Sequence, residues 1–89
     1  MNMSQRSLIE RIEINPDILV GKPVIKGTRI SVEQIMRMLA SGMEVKEILE
    51  EYPHITKKDI RAAIFYATEL VQDFRAYPRR FIHRIKLAR

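Results

Sequence analysis

From Val32 onward the apolar residues of this chain recur at helical spacing, and only two breaks interrupt them. Val32, Ile35, Met36 and Leu39 form the first run, which Ser41-Gly42 stops. Val45, Ile48, Leu49 and Tyr52 form the second, and Pro53 ends it at the preceding residue. The third run places Ile60, Ile64, Ala67, Val71 and Phe74 on one face, with Ala63 and Leu70 widening the stripe. Two of the three starts carry cap signatures. Ser31 stands three residues before Gln34, and Thr56 three before Asp59, so each side chain can reach a free backbone N–H. The middle run opens instead on Glu44 and Glu47, acidic residues suited to a positive helix end. Segments joined this closely must pack on one another.

Before Ser31 the pattern is different. Arg11 to Ile14 alternates apolar with charged, the mark of a short half-buried strand, and Asn15-Pro16-Asp17 reads as a turn. The stretch from Gly21 to Ser31, GKPVIKGTRIS, sets Pro23-Val24-Ile25 and Thr28-Arg29-Ile30 on either side of Lys26-Gly27. Two β-branched runs joined through a glycine predict a tight hairpin. The stretch is not a phosphate-binding loop, because it lacks the G-x-x-x-x-G-K-[ST] spacing. The predicted fold is mainly α: a three-helix helix-turn-helix core, homeodomain-like or winged-helix-like, with a short N-terminal strand and hairpin. Residues 1–74 form one domain, with the β element over 11–31 and the helices over 32–74. Residues 75–89 are a basic C-terminal segment.

Charge supports that division. The net charge of the 89 residues is +5, but residues 1–74 carry ten Lys/Arg against eleven Asp/Glu. The last fifteen residues hold six basic side chains and no acidic one. Overall basicity is therefore no argument that the body binds nucleic acid. There are no cysteines, so disulfides, thiolate metal sites and a cysteine nucleophile are excluded, and a reducing compartment is compatible. No secretory h-region is legible in the first fourteen residues, and no apolar run reaches the roughly 18 residues of a membrane span. A soluble cytoplasmic protein is expected. A chain this small often gains stability by dimerising.

Few residues are candidates for chemistry. His54 and His83 lie far apart and at no metal-ligand spacing, and nothing assembles a nucleophile, a base and a group to orient it. The expectation is a protein that is not an enzyme and takes no metal or cofactor. For nucleic acid, the start of the third helical run matters most, since it would enter the major groove of DNA in a helix-turn-helix. It reads T-K-K-D-I-R. Lysines there add charge to an end that is already positive, which favours a functional role for Thr56, Lys57, Lys58 and Arg61; a solvated face is the alternative. Lys22, Lys26 and Arg29 are more basic residues than a turn requires, and Lys26 and Arg29 join the predicted DNA contacts. The glutamates at 44, 47, 50 and 51 argue against the second run lying on phosphate. In the tail, Arg75, Arg79, Arg80, Arg84 and Arg89 are interleaved with Phe81, Ile82, Ile85 and Leu87, a composition suited to docking on a partner. Packing on its own domain or on a dimer mate is the alternative.

The string from Ile14 to Ala67 resembles the domain-of-unknown-function 433 family, small prokaryotic proteins regarded as antitoxins similar to the VapB type. The resemblance is carried by NPDI at 15–18, GKPVIKGTRISV at 21–32, Gly42, YPHIT at 52–56 and DIRAAIFYA at 59–67. Val20 departs from it where the family often has glycine, as does Glu44 where Ser or Thr is frequent. The resemblance implies a helical, usually dimeric domain and a cognate toxin, often a PIN-like ribonuclease. Such a nuclease holds metal with carboxylates, which arginines could pair. Arg75, Arg79, Arg80, Phe81, Arg84, Ile85 and Arg89 are then the expected toxin contacts, with operator DNA as a second partner. A stand-alone DNA-binding regulator is the alternative.

Overall fold

The computed structural model describes residues 1–72. It is mainly helical: α1 (Met3–Ile9), β1 (Ile12–Glu13), β2 (Val24–Ile25), α2 (Val32–Ala40), α3 (Val45–Glu51) and α4 (Lys57–Gln72), with a one-turn 3₁₀ segment at Leu19–Gly21. The three expected helices are α2, α3 and α4. The first helix, α1, is an addition that the apolar pattern did not announce. Its start is written in polar residues: Asn2 Oδ1 accepts the Gln5 N–H at 2.8 Å, and Gln5 Oε1 accepts the Asn2 N–H at 3.0 Å. Leu8 is its buried residue, and the helix packs chiefly against α4.

The hairpin differs in its partner. β2 pairs antiparallel with β1, Ile12 opposite Ile25 and Glu13 opposite Val24. The residues after Gly27 contribute only a single bridge, Val24 to Ser31, with the Ile25 N–H donating to the Ile30 carbonyl at 2.9 Å. Thr28 is the reason that return is so brief. Its N–H and its hydroxyl both donate to the Ile25 carbonyl, at 3.0 and 2.7 Å, and the same hydroxyl accepts the Ile30 N–H at 3.0 Å. Gly27, at φ 80°, stands third in this four-residue turn, where a positive φ is required.

The helix ends follow their caps. Ser31 accepts the Gln34 N–H at 2.9 Å, but the Gln34 amide does not return to it; it donates to the Tyr52 hydroxyl at 2.7 Å and ties α2 to the end of α3. Gly42, at φ 98°, closes α2 in a Schellman arrangement, with Met43 N–H bonded to the Met38 carbonyl and Gly42 N–H to that of Leu39. Glu47 Oε1 accepts the Glu44 N–H at 3.0 Å, so α3 has a carboxylate cap where Ser or Thr is absent.

The core is small and aliphatic. Ile25, Val32, Ile35, Ile48, Ile55, Ile60 and Ala63 are buried together, with Met36, Leu39, Leu49 and Tyr66 among the half-buried residues around them. This corrects the stripe expected on α4. Ile60 and Ala63 are buried, yet Ile64 is 40% exposed, Leu70 55% and Val71 59%. The side of α4 that meets the core is Asp59, Ile60, Ala62 and Ala63, rotated away from Ile64. Phe74 lies outside the described residues.

Candidate nucleic-acid interface

Five of the six predicted DNA-contacting residues are exposed cations, and the structure places them on two elements. Lys26 and Arg29 flank Gly27 in the turn after β2, while Lys57, Lys58 and Arg61 occupy the first two turns of α4. None of these five takes part in an ion pair among the described residues, whereas Arg11, Lys22 and Arg37 all do. Lys57 is set apart from its neighbours: it lines a shallow depression with Glu44, Val45, Lys46, Leu49 and Glu50 of the α3 region. Glu44 and Glu50 in that depression are of opposite charge to it, and Lys46 is of like charge. The cationic face of α4 is left to Lys58 and Arg61.

Thr56 has a different task from base contact. Its hydroxyl accepts the Asp59 N–H at 3.2 Å, and Asp59 Oδ2 accepts the Thr56 N–H at 2.9 Å, a reciprocal cap that fixes where α4 begins. Asp59 is almost fully buried at 7% exposure. Its second oxygen, Oδ1, accepts a bond from Arg11 Nη1 at 2.8 Å. Sequence reasoning did not select Arg11, and the pairing across 48 positions left no local signal to find it by.

Lys22, the third basic residue left over from GKPVIKGTRIS, is accounted for. Its Nζ lies 2.8 Å from Glu33 Oε1, and Arg37 bonds the other oxygen of the same carboxylate at 3.0 Å. Bonds from Lys22 and then Arg37, with their charges, hold the Glu33 carboxyl below the usual carboxylate range. This cluster joins Lys22 to α2 and leaves neither Lys22 nor Arg37 without a carboxylate partner.

Among the described residues no cluster of three His, Cys, Asp or Glu could hold a metal ion, and no helix is long and apolar enough to cross a membrane. Of the predicted toxin contacts, Arg75, Arg79, Arg80, Phe81, Arg84, Ile85 and Arg89 all lie outside the described residues.

Three comparisons bear on this arrangement. The chain is 40% identical over 58 residues to the uncharacterized protein y4eO of Sinorhizobium fredii, a match that takes in 65% of this chain and 26% of that protein. It is thus a module spanning about a quarter of that relative. The crystal structure of a DUF433 member protein from Anabaena variabilis superposes with a TM-score of 0.68 at 31% identity, covering 75% of this chain and 66% of that one. The family pattern described as "Protein of unknown function (DUF433)" matches residues 12–67, from the start of β1 into the middle of α4. That span includes the basic turn, the Thr56–Asp59 cap and Arg61. On that match the chain belongs to the DUF433 family.

Proposed function

We propose that this protein is a non-enzymatic antitoxin of a toxin–antitoxin pair. Its helical domain contacts operator DNA as a dimer, and its segment 75–89 occupies a PIN-like ribonuclease toxin. One observation carries the DNA contact: four exposed cations, Lys26, Arg29, Lys58 and Arg61, stand on the turn and the start of α4 and take part in no ion pair among the described residues, whereas Arg11, Lys22 and Arg37 are paired. Unneutralised arginines and lysines at the start of a helix that follows a helix and a turn are the equipment of major-groove binding. The tail supports the toxin contact by composition, since arginines interleaved with apolar side chains suit an acidic, metal-holding cleft.

Two measurements test the two halves separately. Co-expression of the neighbouring toxin with a chain ended at Tyr77 should fail to rescue growth where the full chain succeeds; undiminished rescue removes the tail from the interaction. Binding of the full chain to its own upstream DNA should weaken steeply with salt, and Lys58→Ala with Arg61→Ala should reduce the logarithmic slope by about 2. The unpaired cations belong to the described domain and not to the tail. A stand-alone DNA-binding regulator is therefore the second reading, favoured if the DNA contact survives and no toxin lies beside the gene.

A further inference from the structure

The two cationic groups sit on different elements, and among the described residues a single side-chain hydrogen bond joins the β element to the start of α4. Arg11 makes it. The residue follows α1, and its N–H donates to the Leu8 carbonyl at 3.0 Å. Its own carbonyl accepts the Lys26 N–H at 2.8 Å, which anchors the basic turn at its first residue. Its guanidinium reaches Asp59, whose other oxygen accepts the Thr56 N–H. Lys26, Arg11, Asp59 and Thr56 are thus linked by three successive hydrogen bonds of 2.8, 2.8 and 2.9 Å. The Arg11 side chain is 36% exposed and that of Asp59 10%, so the ion pair is shielded mainly on the aspartate side. A bond to a charged, largely buried carboxylate is among the stronger ones a small domain has.

We propose that Arg11 is a positioning residue for the DNA-contacting surface: it sets the spacing between the cations of the turn and those of α4. The inference rests on the DNA reading above. Phosphates are presented at fixed intervals along a duplex, and contacts to them fix register. Two groups of cations held at one spacing engage the backbone without first paying to become ordered, whereas two independent groups must pay that cost on binding. Ile25 is buried with Ile60 and Ala63, but that apolar packing is not directional, and without the Arg11 bond no side-chain hydrogen bond among the described residues fixes Lys26 and Arg29 relative to Lys58 and Arg61.

The test uses the full chain and a labelled duplex of about 30 bp from directly upstream of its own gene, titrated at several salt concentrations. Arg11→Gln should lower affinity about tenfold and reduce the salt slope by roughly 2, the contribution of Lys26 and Arg29, while helical circular dichroism persists. Arg11→Lys should restore most of both, because the native link is a single bond from Nη1 that an ammonium can replace. Lys26→Ala should weaken binding in the wild-type background and add nothing in the Arg11→Gln background. An Arg11→Gln chain that stays folded and keeps the wild-type slope overturns the proposal, as does a Lys26→Ala loss of equal size in both backgrounds. Amide exchange separates this failure from failure of the DNA reading. If the wild-type chain shows no salt-dependent binding, the DNA reading falls. The positioning claim is then decided by whether Arg11→Gln speeds exchange of the Lys26 amide about tenfold while the core amides of Ile35 and Ile48 hold their rates.

Discussion

At the residue scale the most costly conformations lie just before the basic stretch. Leu19 at φ 49° and Val20 at φ 57° are both left-handed, and Gly21 follows at φ 80°. A left-handed backbone costs an L-residue roughly 1–2 kcal/mol, and a β-branched side chain is among the least suited to it. Val20 offsets none of this by packing, since it is 96% exposed. Val20→Gly relieves the clash but returns about 0.5–1 kcal/mol to the unfolded chain, so the net gain should be about 0.5–1 kcal/mol. A urea midpoint that rises at constant m-value is the expected result, and a fall would contradict the strain. In the core the sign reverses. Ile48 is fully buried among Ile35, Ile55 and Ile60, and Ile48→Ala should cost about 3–4 kcal/mol, a large share of what a domain this size holds. Calorimetry of the purified variant reads that loss directly.

At the element scale, caps decide where helices start and side chains decide which face they bury. Ser31 is 6% exposed, caps α2 and leads straight out of the β element, so Ser31→Ala should cost about 1 kcal/mol and Ser31→Asp less. Thermal melts of the pair distinguish loss of the cap from general damage. These caps were legible in the sequence because their partners are three residues away, and so was Gly42, whose stop needs only a positive φ. The face of α4 was half legible. Spacing aligned Ile60 with Ile64, but packing against α1, α2 and α3 turned the helix so that Asp59 and Ala62 became interior and Ile64 did not. An aspartate is assigned to the surface by its chemistry. Its burial is compensated by the Thr56 N–H on one oxygen and, on the other, by Arg11, a partner far off in sequence. The helix α1 was missed for a related reason: with one buried residue, Leu8, its apolar period is too brief to register, and an Asn–Gln box defines it.

At the scale of the whole molecule the stability has a pH dependence whose direction follows from Glu33. Its folded pKa lies below the ordinary value of 4.5, so the stabilising contribution is present above that value and is lost as pH falls through the folded pKa. The Glu33 side chain is exposed, at 47%, so the contribution is small and salt screens it further. Melting temperatures of the wild type and Glu33→Gln should differ most above about pH 5 at low salt and converge on acidification. Convergence on raising the pH would refute the assignment. Lys22 and Arg37 share Glu33 and Arg11 pairs Asp59, whereas Lys26, Arg29, Lys58 and Arg61 take part in no ion pair among the described residues. The run from Leu19 to Gly21 has a further consequence, one of chirality. Among the described residues these are the three consecutive ones with positive φ, Gly27 and Gly42 standing singly, and the side chain at position 20 meets almost nothing. A D-amino acid is at home in that region for the same reason that an L-valine is not. Position 20 is therefore a place in this chain where the mirror-image residue fits the native backbone better than the encoded one.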